Sequence, residues 1–543
     1  MLGVALALRL PRLLAAPLWF NEAYTGLQTF SDPSRLLQAV RAEVSPPLYY
    51  LAVRAWAGML GHGEWSLRLF SVLAGTLAAG AVCVAARCVS RSAGAAAGLI
   101  IAATPLFVHY SREARMYPLL VLLLAAAIVC LVRALEGGPG AGRAWTGTAI
   151  LGAAAIGTHY LAVLALAAVP VAALAWGRRA ARRALLAMLA ALALALPLAP
   201  WAAGQARLPA TGHVDRIWRA IPPALAIPRS IELYAPGALY PPYPNFRMAP
   251  PPWRPAPYLL VAALLLPGLA ACRRAAGIER RMARAGLAFL VVPLGLLWNI
   301  SHLRPVYLLG RYDLLALPGF AILAGVGFAR LAPAARVLVA GAAAVLAAIS
   351  LAPIYRPAPA QQSVTRGVAT RLLPALRAKD VLLFTGFGTP AVRYALRLHG
   401  RDPAFVTLPA STARHAGWVD LRGLRDPRGR REEVPRAARA AARRAVGGRI
   451  WLIEDLREQG GAEILAALDR MGFRPTRRLD LSAPVPGLWS QPLRATLLVR
   501  AAAAAGEKAP GRLYAMNRTT TNAPPRASGT TPVRRSCDRP RTC

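Results

Sequence analysis

Apolar stretches recur along the first two thirds of the chain, at roughly 1–18, 64–86, 93–109, 117–134, 145–158, 160–176, 184–203, 257–272, 286–303, 312–329 and 334–353. Each is close to, or somewhat short of, the ~20 residues a helix needs to cross a bilayer. Within hydrocarbon every backbone N–H and C=O must be paired inside the segment. The pattern therefore restricts this chain to a bundle of membrane helices, and the expectation is a polytopic α-helical membrane protein with about eleven spans.

Arginine placement orients the spans. Alternate loops carry Arg87 and Arg91; Arg133 and Arg143; Arg178, Arg179, Arg182 and Arg183; Arg273, Arg274, Arg280, Arg281 and Arg284; then Arg330 and Arg336. By the positive-inside rule these loops face the cytoplasm. The intervening loops then face out, with Glu22, Glu43, Glu113, Asp215, Glu232 and Asp313 among their acids. Keeping 145–158 and 160–176 as two helices, broken at Thr158-His159, preserves this alternation; merging them inverts every later loop. Residues beyond about 354 are expected outside, in a bacterial inner membrane. The first stretch looks defective, because Arg9 and Arg12 follow its apolar run at once. A truncated gene start, a half-helix or a signal peptide each accounts for it.

Composition agrees with a membrane class. Of 543 residues 56% are hydrophobic, and the formal net charge is +41. Mean hydropathy is +0.41. Only Lys379 and Lys508 are lysines, so the basic charge is arginine, sitting mainly in membrane-flanking loops and the C-terminal third. That distribution argues against nucleic-acid binding, and membrane lipids are the expected surroundings. Cys83, Cys88, Cys130, Cys272, Cys537 and Cys543 show neither metal-ligand spacing nor a disulfide framework. No metal and no cofactor is expected.

Three regions lie outside the spans. The outer loop 19–63 contains Pro46-Pro47, which breaks a helix, and then an amphipathic stretch, Leu48 to Leu60, suited to the interface. The outer loop 204–256 is rich in Pro, Tyr and Arg and long enough to act as a lid. From 361 to 498 short apolar runs alternate with helical patterns: strands at 380–384, 449–453 and 493–499, helices at 389–398 and 462–471. This reads as a small C-terminal extracytoplasmic α/β domain, following a transmembrane domain over 1–355. Residues 505–543 read as a disordered tail. No P-loop, dinucleotide fingerprint or metalloprotease motif occurs; Gly386-Phe387-Gly388 reads as a tight turn.

Two charged motifs interrupt apolar sequence on the outer side: Trp19-Phe20-Asn21-Glu22-Ala23-Tyr24-Thr25 and Tyr110-Ser111-Arg112-Glu113-Ala114-Arg115-Met116-Tyr117. Ionisable groups at such depth are functional candidates by default. With Pro46-Pro47-Leu48-Tyr49-Tyr50, Arg68-Leu69-Phe70-Ser71, Thr158-His159-Tyr160 and Arg311-Tyr312, they form an ordered series over roughly residues 18–330. The series resembles the GT-C class of polytopic glycosyltransferases that use polyprenyl-phosphate sugars. Within that class it is most similar to bacterial relatives of protein O-mannosyltransferases and lipid A aminoarabinose transferases.

The resemblance implies transfer of a sugar from a polyprenyl-phosphate donor to a lipid, polysaccharide or protein hydroxyl, with inversion. Catalytic candidates are Glu22, Asn21 and Glu113. Arg115, Arg311 and His159 are candidates for the donor phosphate, since the guanidinium fork suits phosphate oxygens. Tyr24, Tyr49, Tyr50 and Tyr117 are candidates for lining the substrate. The sequence departs from the family at Asn21, where the family usually has the aspartate proposed as base; an amide cannot take up a proton in that way. Either Glu22 takes the role, or another acid such as Glu113 does, or activity is altered. A flippase of lipid-linked sugars and a catalytically impaired scaffold are the alternatives.

Overall fold

The arginines that close the first apolar stretch also keep it from spanning. In the computed structural model, which describes residues 1–15, 18–207, 213–238, 255–356, 363–413, 426–482 and 492–501, helix α1 covers only Leu2–Ala7. Arg9 follows it, fully buried. Its guanidinium donates to the carbonyls of Ala5 (2.9 Å), Ala102 (3.0 Å) and Ile101 (3.2 Å). The last two close the helix Arg91–Ala103, and helix C-termini present such unpaired, partly negative carbonyls. The expected first span is therefore corrected to a six-residue helix pinned by a cation.

The segment expected as the first outer loop folds into three helices: α2 (Phe20–Thr29), α3 (Pro33–Arg41) and α4 (Leu48–Leu60). Asp32 caps α3 by accepting from the Arg35 N–H (2.9 Å), with Pro33 in the first turn, a favoured arrangement at a helix start. Helix α4 begins directly after Pro46-Pro47 and buries Tyr49, Tyr50, Val53 and Ala57 on one face.

The remaining apolar stretches give α5 (Glu64–Arg87), α6 (Arg91–Ala103), the short α7 (Pro105–Tyr110), α8 (Tyr117–Glu136) and α9 (Ala141–Thr158). Then come α10 (Ala162–Trp176) and α11 (Arg178–Ala206). Beyond the short helices α12 (His213–Ala220) and α13 (Pro223–Tyr234) lie α14 (Pro255–Arg274), α15 (Gly277–Leu303), α16 (Tyr312–Arg330) and α17 (Pro333–Tyr355). Seven of these, α5, α8, α11, α14, α15, α16 and α17, are long and apolar enough to cross a membrane. The 93–109 stretch breaks at Thr104, because Pro105 cannot continue the helix before it. The break between α9 and α10 falls at His159, whose backbone is extended.

Helix α16 is the axis of the bundle, with 83% of its apolar window buried. The corresponding values of 17% for α11 and 22% for α17 leave those two helices on the outside. Glycine makes the central position possible. A Cβ on Gly319 would lie 2.4 Å from the Phe289 carbonyl carbon on α15, and one on Gly325 2.6 Å from the Ala93 oxygen on α6. One on Gly327 would lie 1.8 Å from the Leu264 oxygen on α14. Small residues at such crossings let membrane helices approach backbone to backbone.

After the bundle a five-stranded sheet has the order β2-β1-β3-β5-β4. The strands are β1 (Val381–Thr385), β2 (Phe405–Leu408), β3 (Arg449–Asp455), β4 (Phe473–Asp480) and β5 (Leu493–Arg500). The first three run parallel and β5 and β4 are antiparallel. Helices α18 (Thr389–Leu398), α19 (Pro427–Arg444) and α20 (Gly461–Asp469) connect them. Strands β2 and β4 and helix α19 escaped the sequence reading. β4 is exposed and arginine-rich, so it lacks the apolar run that marks a strand. Residues 239–254 of the segment expected as the second outer loop, which include the Pro- and Tyr-rich run, and the 505–543 tail lie outside the described residues.

The sheet unit sits on α2. Tyr394 of α18 packs where Gly26 has no side chain, 2.5 Å from where a Cβ would stand. Its hydroxyl donates to the His62 carbonyl (2.8 Å), and Phe387 meets Phe20 edge-on at 5.3 Å.

Replacing Gly327 by valine should lower the melting temperature of the detergent-solubilised protein sharply, since overpacking alone costs about 1–3 kcal/mol and here the obstacle is backbone. Gly341→Ala, with nothing within 4 Å, should leave melting near wild type.

Candidate active site

Four segments meet at one end of the bundle: the start of α2, the 111–116 connection, the α9–α10 break, and the 304–312 connection. Glu22 ties the first two together. It is the third residue of α2 and accepts from the backbone N–H of Trp19 at the helix start (3.1 Å). Arg68 of α5 donates to both its oxygens, Nε to Oε1 and Nη2 to Oε2, each at 2.8 Å. The Ala114 N–H donates to Oε1 (2.9 Å). Glu22 and Arg68 are each 2% exposed. Each carboxylate oxygen is thus taken twice, and Arg68 also donates to the Leu13 carbonyl (2.8 Å).

Arg115 lies one residue beyond that anchor. Its guanidinium reaches the Asn21 carbonyl (3.4 Å). Burial works against its charge, but Tyr50, Tyr117 and Glu43 outweigh burial and raise its pKa above the ordinary arginine value. Arg311, on the 304–312 connection, stands over two rings, 5.5 Å from the Tyr117 centroid and 5.9 Å from that of Tyr110. His159 lies 6.1 Å from the Tyr117 ring and 5.0 Å from Tyr312. Burial, then Arg115 and Arg311, hold the His159 imidazole down at about 4, so it is neutral near pH 7. Its Nδ1 accepts from the Leu161 N–H (3.3 Å), which leaves the proton on Nε2 as a donor. Two guanidiniums and an N–H donor therefore gather around Tyr117. These are the three residues singled out for phosphate, drawn together from positions 44 to 196 residues apart in sequence.

The acids divide by environment. Glu113 Oε1 contacts His109 Nε2 at 2.9 Å, while Oε2 has no hydrogen-bond partner. Burial pushes the Glu113 carboxyl up, but His109, Arg311 and Arg115 bring it below the usual value. Glu43, from the α3–α4 connection, is fully buried. Tyr50 donates to its Oε2 (3.2 Å), and Oε1 has no partner. Burial raises its carboxyl to about 8 against the pull of Arg115, Tyr50 and Tyr24. Asp313 is closed in by Ser230 Oγ (2.5 Å) and the Gly310 N–H (3.0 Å), which ties α13 to the connection that carries Arg311.

The aromatic candidates lie deeper than a surface lining. Tyr24, Tyr49 and Tyr50 are buried and pack edge-on, Tyr24 against Tyr50 at 6.0 Å and Tyr49 against Tyr50 at 5.5 Å. Tyr117 alone among the four faces Arg311 and His159. The Asn21 carbonyl also accepts from Thr25 (3.1 Å). Sequence reasoning left Glu43 and His109 off its list of site residues. The four-residue spacing of His109, in the last turn of α7, and Glu113, just past its end, was a usable signal; nothing in sequence marks Glu43 as buried beside Arg115. Among the described residues no three His, Cys, Asp or Glu side chains come together to hold a metal ion.

Residues 44–201 match the family model described as dolichyl-phosphate-mannose-protein mannosyltransferase. Among solved structures, ArnT from Cupriavidus metallidurans superposes in its apo state with a TM-score of 0.56 at 14% identity, covering 91% of this chain and 96% of that one. ArnT bound to undecaprenyl phosphate gives the same values. The archaeal oligosaccharyltransferase AglB from Archaeoglobus fulgidus matches at TM-score 0.45 and 12% identity, over 80% of this chain and 65% of that one. The comparison with curated proteins gives no match. The chain is a multi-pass membrane protein with the GT-C glycosyltransferase fold, as the ordered motifs implied.

Two measurements probe this geometry. Removing one partner of a buried ion pair costs about 3–5 kcal/mol. Glu22→Gln should accordingly lower the melting temperature strongly, and Arg68→Met added to it should recover part of the loss. Glu43 is the second case: its folded pKa lies above the ordinary 4.5. The native state then holds a proton that the unfolded state releases, so stability falls as pH rises from about 4.5 to 8. Glu43→Gln should melt higher than wild type at pH 8 and close to it at pH 4.

Proposed function

We propose that this chain is an integral membrane glycosyltransferase that moves a sugar from a polyprenyl-phosphate donor to a hydroxyl acceptor by single displacement, with inversion at the anomeric carbon. One observation carries this: Arg115, Arg311 and the neutral His159 converge around Tyr117 at the same end of the bundle as the start of α2. A leaving phosphate gathers charge in the transition state, and preorganised donors aimed at it are the largest lever such a site has. The ArnT structure with the same fold was captured with undecaprenyl phosphate, which supports a long-chain prenyl phosphate as the carrier.

Membrane orientation follows from the arginines. The connections α5–α6, α8–α9, α10–α11, α14–α15 and α16–α17 hold the basic clusters, and the positive-inside rule puts them in the cytoplasm. Every segment of the candidate site then lies on the outer side, as does the sheet unit seated on α2. With α1 too short to span, the chain start falls on the outer side too, and the C-terminal unit keeps its place. We place the chain in the bacterial cytoplasmic membrane, with its acceptor outside. The sugar and the class of acceptor stay open between lipid, polysaccharide and protein hydroxyls. Glu22, saturated by four donors, acts as the post that positions Asn21 and Arg115, not as the base.

Transfer from labelled polyprenyl-phosphate mannose, glucose and aminoarabinose in membranes containing the chain tests this assignment. Wild type should transfer from at least one donor. Arg311→Lys, which keeps the charge but loses the fork, should raise the donor KM by about 10-fold, the worth of one charge-assisted hydrogen bond. Transfer unchanged in both Arg311→Lys and Arg311→Met would remove the phosphate assignment.

A further inference from the structure

Sugar transfer to a hydroxyl needs a group to take the acceptor proton, and the amide of Asn21 cannot. The described carboxylates around the phosphate cluster are poorly placed for it. Both oxygens of Glu22 are doubly occupied by Arg68 and backbone N–H groups. Glu43 is fully enclosed behind Tyr50. Asp313 is enclosed as well, held by Ser230 and Gly310.

His109 differs. It lies in the last turn of α7 with 29% of its side chain exposed. Its Nε2 stands 2.9 Å from Glu113 Oε1, four residues on and just past the end of the helix. Glu113 in turn lies within electrostatic reach of Arg311 and Arg115, so the pair borders the phosphate cluster. We infer that His109 is the proton acceptor for the incoming hydroxyl and that Glu113 is its positioning residue. This rests on the transferase assignment above and deepens it.

A carboxylate on Nε2 fixes the proton there and turns Nδ1 into the accepting nitrogen, the logic by which an acid orients a catalytic imidazole. In the step, the acceptor O–H gives its proton to His109 Nδ1 while its oxygen attacks the anomeric carbon. The bond from that carbon to the phosphate oxygen breaks, and the electron pair leaves with the phosphate toward Arg115 and Arg311. The products are the glycosylated acceptor, a prenyl phosphate and an imidazolium stabilised by Glu113, which releases its proton to water. The Arg115 and Arg311 charges that bind phosphate also keep Glu113 ionised, so donor site and base are built from one network.

The experiment uses the full chain in membranes with the donor panel above, and measures in parallel the binding of undecaprenyl phosphate and the melting temperature. His109→Gln retains a side chain able to hydrogen-bond Glu113 but takes no proton. It should lower kcat by about 10²–10⁴-fold, the usual worth of a general base, while donor KM, undecaprenyl phosphate binding and melting stay as in wild type. His109→Ala should lose as much and regain part of it with added imidazole. Glu113→Gln should lower kcat less than His109→Gln does. Near wild-type kcat in His109→Gln would overturn the inference and leave the transferase assignment standing. A loss of transfer accompanied by weaker phosphate binding or lower melting would assign the pair a structural role and overturn it too. Wild type that neither transfers from the panel nor binds undecaprenyl phosphate would overturn the transferase assignment itself, and this inference with it.

Discussion

The ion pair between Glu22 and Arg68 holds the candidate-site end of this molecule together. It joins the start of α2 to α5, and through the Ala114 N–H it reaches the 111–116 connection. Both partners are almost wholly removed from solvent. A buried pair of charges tolerates that only when its remaining lone pairs and protons are satisfied, and here Trp19, Ala114 and Leu13 supply backbone partners. Asn21, Arg115 and Glu113 all lie within two residues of atoms in this network, so their placement is inherited from it.

Around that anchor, cations and acids are sorted by depth. Arg9 is spent on helix-end carbonyls. Arg112 is spent on the carbonyls of Arg9, Pro11 and Arg12. Arg311 stands over the Tyr110 and Tyr117 rings, where an aromatic face supports a cation without neutralising it, and Arg115 lies within electrostatic reach of Tyr50 and Tyr117. The same motif thus holds two arginines of different employment: Arg112 fastens the chain start and Arg115 faces the cluster. The sheet unit adds a second constraint by pressing Tyr394 and Phe387 onto α2, which fixes from outside the helix that Glu22 fixes from within.

Much of the architecture was legible in sequence because its causes are local. Hydrocarbon forces each apolar stretch to satisfy its own backbone, so helices announce themselves in composition. Pro105 and His159 mark breaks at the residues where they occur. The 1–18 stretch misled because apolarity was counted without asking what Arg9 would do once buried. β4 was missed because Phe473–Asp480 is an exposed edge whose residues face solvent.

The sequence by itself determined the class: a chain of apolar helices suited to a bilayer, and an ordered series of motifs that resembles the GT-C enzymes. These depend on hydrophobicity and charge summed along short segments. The tertiary structure alone decided the employment of each charged side chain. Glu22 and Glu113 look alike in sequence, a glutamate at the end of an apolar run. One is saturated by Arg68 and two N–H groups, and the other is left beside His109 and two arginines. Whether a carboxylate is a post or part of a reactive pair depends on partners from other segments. A local pattern carries no record of those partners.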